Sequence, residues 1–248
     1  MSTTEHGHNV DREEVAKFDA AAARWWDPEG QMRPLHQINP LRLAFVAERA
    51  GGLAGRRVAD VGCGGGLLAE AMAREGARVV GLDASEAALQ VARLHAAEAG
   101  VEVDYRQGTA EALAEEMPES FDVVTCMELI EHVPDPASLI RACARLARPG
   151  GHVFLSTLNR TPKAWLLAVV GAEYVLGLLP RSTHDWRRFV RPSELDAWAR
   201  AAGLELAELA GLRYDPVFGR HGLTRDVSVN YLVWYRKQFA VRSQQPTE

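Results

Sequence analysis

The chain has 248 residues, with 28 Lys+Arg against 33 Asp+Glu and a formal charge of −5. At roughly 150 residues per domain, that length makes one large domain or two small ones, and 47% hydrophobic with 25% charged residues is enough to build a core. Disordered, collagen-like and disulfide-scaffold classes are excluded, and the acidic balance argues against a general nucleic-acid binder.

In chain order, residues 1–10 read as a polar tail without the basic and apolar regions of an export signal. Asp11 and Glu14 have capping-box spacing ahead of a helix through Val15, Phe18 and Ala22, ending near Trp25-Trp26. A second helix is expected from Asn39 as N-cap, with Pro40 at its first position, to Gly51-Gly52. Strands and helices then alternate. Strands are expected at Arg57–Val61, Arg78–Asp83, Val103–Gln107, Phe121–Met127 and His152–Thr157, the last after a turn at Pro149-Gly150-Gly151. Helices are expected at Gly65–Glu75, Ser85–Ala99 and from Asp135-Pro136 to Leu146. This alternation predicts an α/β domain over 51–240, a mostly parallel sheet with helices on both faces. An N-terminal tail and helical cap over 1–50 and an apolar insert at 160–190 complete the expected organisation. Cys63, Cys126 and Cys143 are odd in number and widely spaced, which predicts reduced thiols and a cytoplasmic setting.

The segment Asp60-Val61-Gly62-Cys63-Gly64-Gly65-Gly66 falls where the first expected strand turns into a helix. Glycines there allow a tight turn and close ligand approach to the main chain. Leu67 stands where the dinucleotide fingerprint needs its third glycine. Asp83 lies 21 residues after Gly62, at the end of the second strand, where a carboxylate can accept from a ribose diol. The loop and acid together read as an adenosine-type nucleoside site without a pyrophosphate cradle; a tight turn beside a surface acid is the plainer alternative.

This loop and Asp83 resemble the cofactor motif of class I S-adenosylmethionine-dependent methyltransferases, which implies a Rossmann-like fold. Asn9-Val10-Asp11, Trp25-Trp26-Asp27, Pro34-Leu35-His36, Ile38-Asn39-Pro40-Leu41-Arg42, Met127-Glu128, Glu131-His132-Val133-Pro134-Asp135-Pro136, Ser156-Thr157-Leu158-Asn159-Arg160 and Val229-Asn230-Tyr231 resemble the ubiquinone-biosynthesis O-methyltransferase family. The resemblance runs from about residue 9 to 236; stretches 112–120 and 203–212 carry none of it. It implies S-adenosylmethionine as cofactor, held at Arg42, Gly62, Gly64, Asp83 and Met127, and methylation of phenolic hydroxyls on polyprenylated catechols and quinols in both O-methylation steps of ubiquinone synthesis. Arg42 would pair with the cofactor's carboxylate, and Gly108-Thr109-Ala110-Glu111 would sit beside its adenine.

Glu128, Glu131 and His132 follow the fourth strand at spacing i, i+3, i+4, which puts them on one face of a helical turn. Two carboxylates and an imidazole make a partial shell for Mg²⁺, Mn²⁺ or Zn²⁺; a capped surface turn explains the same spacing. The matching E-x-x-E-H of the family implies a divalent cation here. Such a cation would lower a phenol's pKa, whereas His132 as general base, assisted by Glu128, is the competing role. Thr157 and Asn159 are candidates to complete the pocket, and Tyr231, Trp25 and Trp26 to line its mouth.

The run from Trp165 to Leu179 is apolar, interrupted by Glu173 and flanked by Arg160, Lys163, Arg181, Arg187, Arg188 and Arg191. It is too short to span a bilayer. It fits an interfacial anchor at residues 163–188 for an anionic membrane, as a polyprenyl substrate would require; a buried helix or dimer contact fits the composition as well. The expected location is the cytoplasm, at the inner membrane face, with other enzymes of ubiquinone synthesis as candidate partners. The alternatives are a nicotinamide-dependent oxidoreductase, against which Leu67 counts, and a silent membrane-associated scaffold, against which the intact Glu128, Glu131 and His132 count.

Overall fold

Runs rich in Val, Ala and Leu, buried on both faces, make the centre of an eight-stranded sheet in the computed structural model, which describes residues 9–167, 185–215 and 220–239. β1 (Arg57–Val61), β2 (Arg78–Asp83), β3 (Asp104–Gln107), β4 (Phe121–Met127) and β5 (Ala147–Leu158) pair in parallel in the order β3-β2-β1-β4-β5. Near-continuous hydrophobic strands are what a sheet covered on both faces demands. Three antiparallel strands extend it: β8 (Asn230–Lys237) beside β5, then β6 (Leu204–Asp215), then β7 (Arg220–Thr224).

Helices cover both faces. On one, α2 (Arg33–Ala50), α3 (Leu67–Arg74) and α4 (Glu86–Ala99) bury Phe45, Val46, Met72 and Leu89 against Val58, Val79 and Phe154. On the other, α5 (Ala110–Glu116), α6 (Pro136–Leu146) and α8 (Pro192–Ala201) bury Leu113, Ile140 and Leu195 against Val124, Val153 and Val233. Truncating a fully buried Phe such as Phe45 or Phe121 would cost about 3–5 kcal/mol. α2 shares its core with β1 and α3, so the helical preface is packed into the sheet domain. The three cysteines are buried and unbridged, as expected.

Local chemistry sets most boundaries. Ser85 and Asp135 accept from Ala88 N and Ser138 N as N-caps, and Gly51 and Gly100 close α2 and α4 in the left-handed conformation. Two boundaries differ most from expectation, whereas α3 and β3 are shorter than expected by one or two residues at an end. α2 starts at Arg33, not at Pro40; Asn39 does not cap it but donates from Nδ2 to Leu67 O, tying α2 to α3. Its extra turns rest on tertiary contact, with Ile38 buried and the His36 ring 2.8 Å from Trp25 O. The turn expected at 149–151 is a bulge inside β5: pairing with β4 jumps from Phe121↔Ala147 to Val123↔His152.

α1 (Arg12–Ala21), capped by Asp11 and continued by a 3-10 turn at Ala22–Arg24, lies over the carboxyl edge of the sheet. Asp19 pairs with Ser85, Asn9 bridges Glu111 and Asp135, and Asp11 pairs with Arg188. A short turn at Pro162–Ala164 (α7) follows β5. No helix among the described residues is long and apolar enough to cross a membrane. Residues 168–184, which include most of the apolar run, lie outside the described residues; its described shoulder exposes Trp165, Leu166 and Leu167, while Arg160, Lys163 and Arg188 are paired with Glu194, Asp226 and Asp11.

Candidate active site

Strand order reverses between β1 and β4, and open α/β sheets bind ligands in the crevice beyond the carboxyl ends of such a pair. A cavity partly open to solvent occupies that position. The loops after β1, β2, β3 and β4 form its floor, and α1 with Trp25 and Leu35 forms its roof.

The glycine loop is required twice over. Gly62, Gly64 and Gly66 have φ of 74°, 52° and 89°, a left-handed backbone that side chains resist. A Cβ on Gly62 would lie 2.8 Å from Leu129 Cδ2, and one on Gly64 or Gly65 would run into the Trp25 indole. The space above Gly64 is thus taken by the chain's own N-terminal segment. Trp26 fastens that segment by donating from Nε1 to Gly65 O and stacking on His95 at 3.3 Å.

Asp83 accepts Gly64 N and Ser85 N, each at 2.8 Å. A carboxylate offers about four lone-pair directions, so two remain for a ribose diol; burial pushes its pKa up. Asp60, 3% exposed, accepts from Thr125 Oγ1 at 2.6 Å, and burial raises it to about 6. Arg42 is not a solvated helix arginine. It is 4% exposed, paired with the Glu128 carboxylate, and its Nε is buried without a partner. Met127 ends β4 on the cavity wall, and Gly108-Thr109-Ala110-Glu111 form another part of that wall.

Glu128 has φ 50°, strained for a residue with a side chain. Ser156 Oγ donates to its Oε1 at 2.7 Å and Arg42 holds Oε2; burial nevertheless raises its pKa. Glu131, 4% exposed, accepts from Thr157 Oγ1 at 2.7 Å and leaves Oε1 unpartnered. His132 Nδ1 lies 2.8 Å from Glu14 Oε2, and this contact pulls the Glu14 pKa down to about 2.

The relatives of this chain establish its family. A methyltransferase-domain family model matches residues 24–209. A ubiquinone biosynthesis O-methyltransferase of Alkalilimnicola ehrlichii is 64% identical over 92% of this chain and 92% of that protein. One from Pseudomonas aeruginosa is 63% identical over 93% and 99%. The chain belongs to the ubiquinone biosynthesis O-methyltransferase family. Among solved structures, magnesium protoporphyrin IX methyltransferase from Synechocystis with bound SAH shares the fold, with TM-score 0.68 over 92% of this chain and 100% of that one at 20% identity. The chain is accordingly an S-adenosylmethionine-dependent methyltransferase.

The structure brings Arg42, Gly62, Gly64, Asp83, Met127, Glu128 and His132 to one cavity. Glu131, Thr157 and Asn159 are not among its lining residues; Asn159 instead donates to Val227 O. Trp25 lines the cavity, whereas Tyr231 is buried with its hydroxyl on Val190 O. The metal shell expected at Glu128, Glu131 and His132 is not formed. Glu128 has left-handed backbone and the 3-10 turn begins only at Ile130, so the three do not share a helical face. Each is engaged by a different partner, and among the described residues no group of three His, Cys, Asp or Glu side chains is placed to hold a metal. Sequence reasoning missed Glu14, which it took for a capping partner. Asp11 caps α1 alone, accepting from Glu13 N and Glu14 N, and the Glu14 carboxylate points to a residue 118 positions away.

Proposed function

We propose that this chain methylates phenolic hydroxyls of polyprenylated catechols and quinols in both O-methylation steps of ubiquinone synthesis. The observation that carries this reading is the meeting of the glycine loop, Asp83 and His132 in one cavity, in a chain 64% identical to a ubiquinone biosynthesis O-methyltransferase. An inert scaffold would not need the last of these, and Leu67 in place of the third fingerprint glycine counts against a nicotinamide enzyme.

The cavity fits S-adenosylmethionine on three counts. Asp83 has two acceptor positions left for a ribose, Arg42 offers a cation with an unpartnered Nε, and the Trp25 Nε1 donor is buried and unsatisfied beside Gly64-Gly65. The cofactor supplies an electrophilic methyl on a sulfonium, displaced in one in-line step. The protein must then align an oxygen nucleophile and remove its proton. A phenol with pKa near 10 is only about 0.1% ionised at pH 7, so a base within reach matters. His132 on the cavity wall accepts the phenolic proton as the O–CH₃ bond forms. Glu128, fixed by Arg42 and Ser156, orients the neighbouring ring oxygen by hydrogen bond. Among the described residues no group of three side chains is placed to hold a metal, and these roles of His132 and Glu128 do not depend on one.

The exposed Trp165, Leu166 and Leu167 support peripheral attachment of residues 163–188 to anionic membrane at the cytoplasmic face, where a prenyl tail resides. The test is methyl transfer from S-adenosylmethionine to a short-chain prenylated catechol, read by mass spectrometry, with sedimentation on vesicles containing and lacking anionic lipid. Methylated product, with binding that needs anionic lipid, supports the reading. No product with any catechol or quinol contradicts it.

A further inference from the structure

Helix α1 does more than roof the cavity. Its Glu14 carboxylate is divided between two cations or donors: Oε1 holds Lys17 Nζ at 2.7 Å, and Oε2 holds His132 Nδ1 at 2.8 Å. The Glu14 and His132 side chains are 13% and 10% exposed, so water competes poorly for this contact. Phe18, one turn further along α1, meets the imidazole edge-on with ring centroids 5.2 Å apart. One helix therefore fixes both the ring plane and one ring nitrogen of a residue on the far side of the cavity.

The chemistry of that contact has a definite polarity. An ionised carboxylate only accepts, and a neutral imidazole has one donor nitrogen and one acceptor nitrogen. We infer that Glu14 is a positioning residue of the methyl-transfer site, accepting from His132 Nδ1–H and so holding the neutral imidazole with its lone pair on Nε2. This rests on the methyltransferase reading above. A lone pair on Nε2 is what proton acceptance needs, and it is equally what metal ligation would need, since ligating histidines commonly give their other N–H to a carboxylate. α1 is itself tied down beside the cavity through Asp19 to Ser85, and the residues leading into it through Asn9 to Glu111 and Asp135. His132 is therefore set in its working tautomer only when α1 is seated over the cofactor cavity.

The experiment uses the full chain labelled with ¹⁵N-histidine. Ring ¹H–¹⁵N correlations are recorded about two pH units above an ordinary histidine's pKa, near 6.5, and His132→Gln identifies the His132 signal by its loss. The wild type is expected to show the Nδ1–H tautomer; an Nε2–H tautomer overturns the inference. Glu14→Ala is expected to lower kcat 10- to 100-fold, with affinity for S-adenosylhomocysteine changed less than threefold. Glu14→Gln keeps an acceptor oxygen and is expected to recover most of the rate and the tautomer. If Glu14→Ala lowers only the melting temperature, with kcat and tautomer unchanged, Glu14 is a clamp and the inference fails. Should that variant not fold, the tautomers of the wild type and Glu14→Gln decide. A wild type that binds no S-adenosylhomocysteine defeats the methyltransferase reading, whereas a wild type that methylates from the wrong tautomer defeats this inference alone.

Discussion

The carboxyl ends of β1 and β4 lie side by side across the cavity, yet they are built on different principles. At β1 the site is mostly backbone: Gly62, Gly64 and Gly66 take a left-handed path, and Asp83 clasps two main-chain N–H groups. At β4 the site is made of side chains, and each polar one leans on a partner from another element: Glu128 on Arg42 and Ser156, Glu131 on Thr157, His132 on Glu14. Backbone geometry is written locally in the sequence. Partnerships over 26 to 118 positions are not.

The β4 side should be the more fragile to single charge removals. Arg42→Met leaves Glu128 without its cation, and breaking one partner of a buried pair costs about 3–5 kcal/mol. The loss should fall near 3 kcal/mol, because Glu128 retains 28% exposure. Denaturant unfolding of Arg42→Met, Glu128→Gln and the double variant checks this; the double variant should be more stable than Arg42→Met. Equal losses that simply add would remove the distinction between the two edges.

Asp60 joins the two edges and gives a pH signature. Burial raises its pKa from 3.8 to about 6, so the folded state binds its proton more tightly than the unfolded chain. Its contribution to stability is therefore greatest below about pH 4 and is lost as pH rises through about 6. That loss is on the order of 3 kcal/mol for a shift of about two units. Asp60→Asn should flatten this part of the stability profile relative to wild type.

On the β1 side, Gly64→Ala should cost about 2 kcal/mol, from a side chain at φ 52° that also meets Trp25. It should also weaken S-adenosylhomocysteine binding by lifting the N-terminal segment. Unchanged affinity would show that this roof is not part of the cofactor site. As the smallest effect, Arg49→Ala, which removes the bidentate pair with Glu208 and the guanidinium over the Phe45 ring, should cost about 1 kcal/mol and leave cofactor affinity unaltered.

What was readable in the sequence follows the same division. β1, β2 and β4 fall on their expected residues because their apolar runs are closed by Gly62, by Asp83 and by the Glu128 turn. Caps at Asp11, Ser85 and Asp135 were legible for the same local reason. α5, α8 and β6–β8 escaped notice: the 203–212 stretch matches no motif, and β6 and β8 take their places through antiparallel pairing at long range. The helical turn that the Glu128, Glu131 and His132 spacing assumes is not what the chain adopts, because Glu128 has a left-handed backbone.

The most direct test of the account is calorimetric titration of wild type and Asp83→Ala with S-adenosylhomocysteine. Hydrogen bonds to charged groups contribute about 1.5–3 kcal/mol each, so loss of two ribose contacts should weaken binding by about 100-fold or more. Tight wild-type binding that collapses in Asp83→Ala is the predicted result. Wild-type binding that Asp83→Ala leaves intact would contradict the ribose assignment, and absence of wild-type binding would contradict the cofactor site itself.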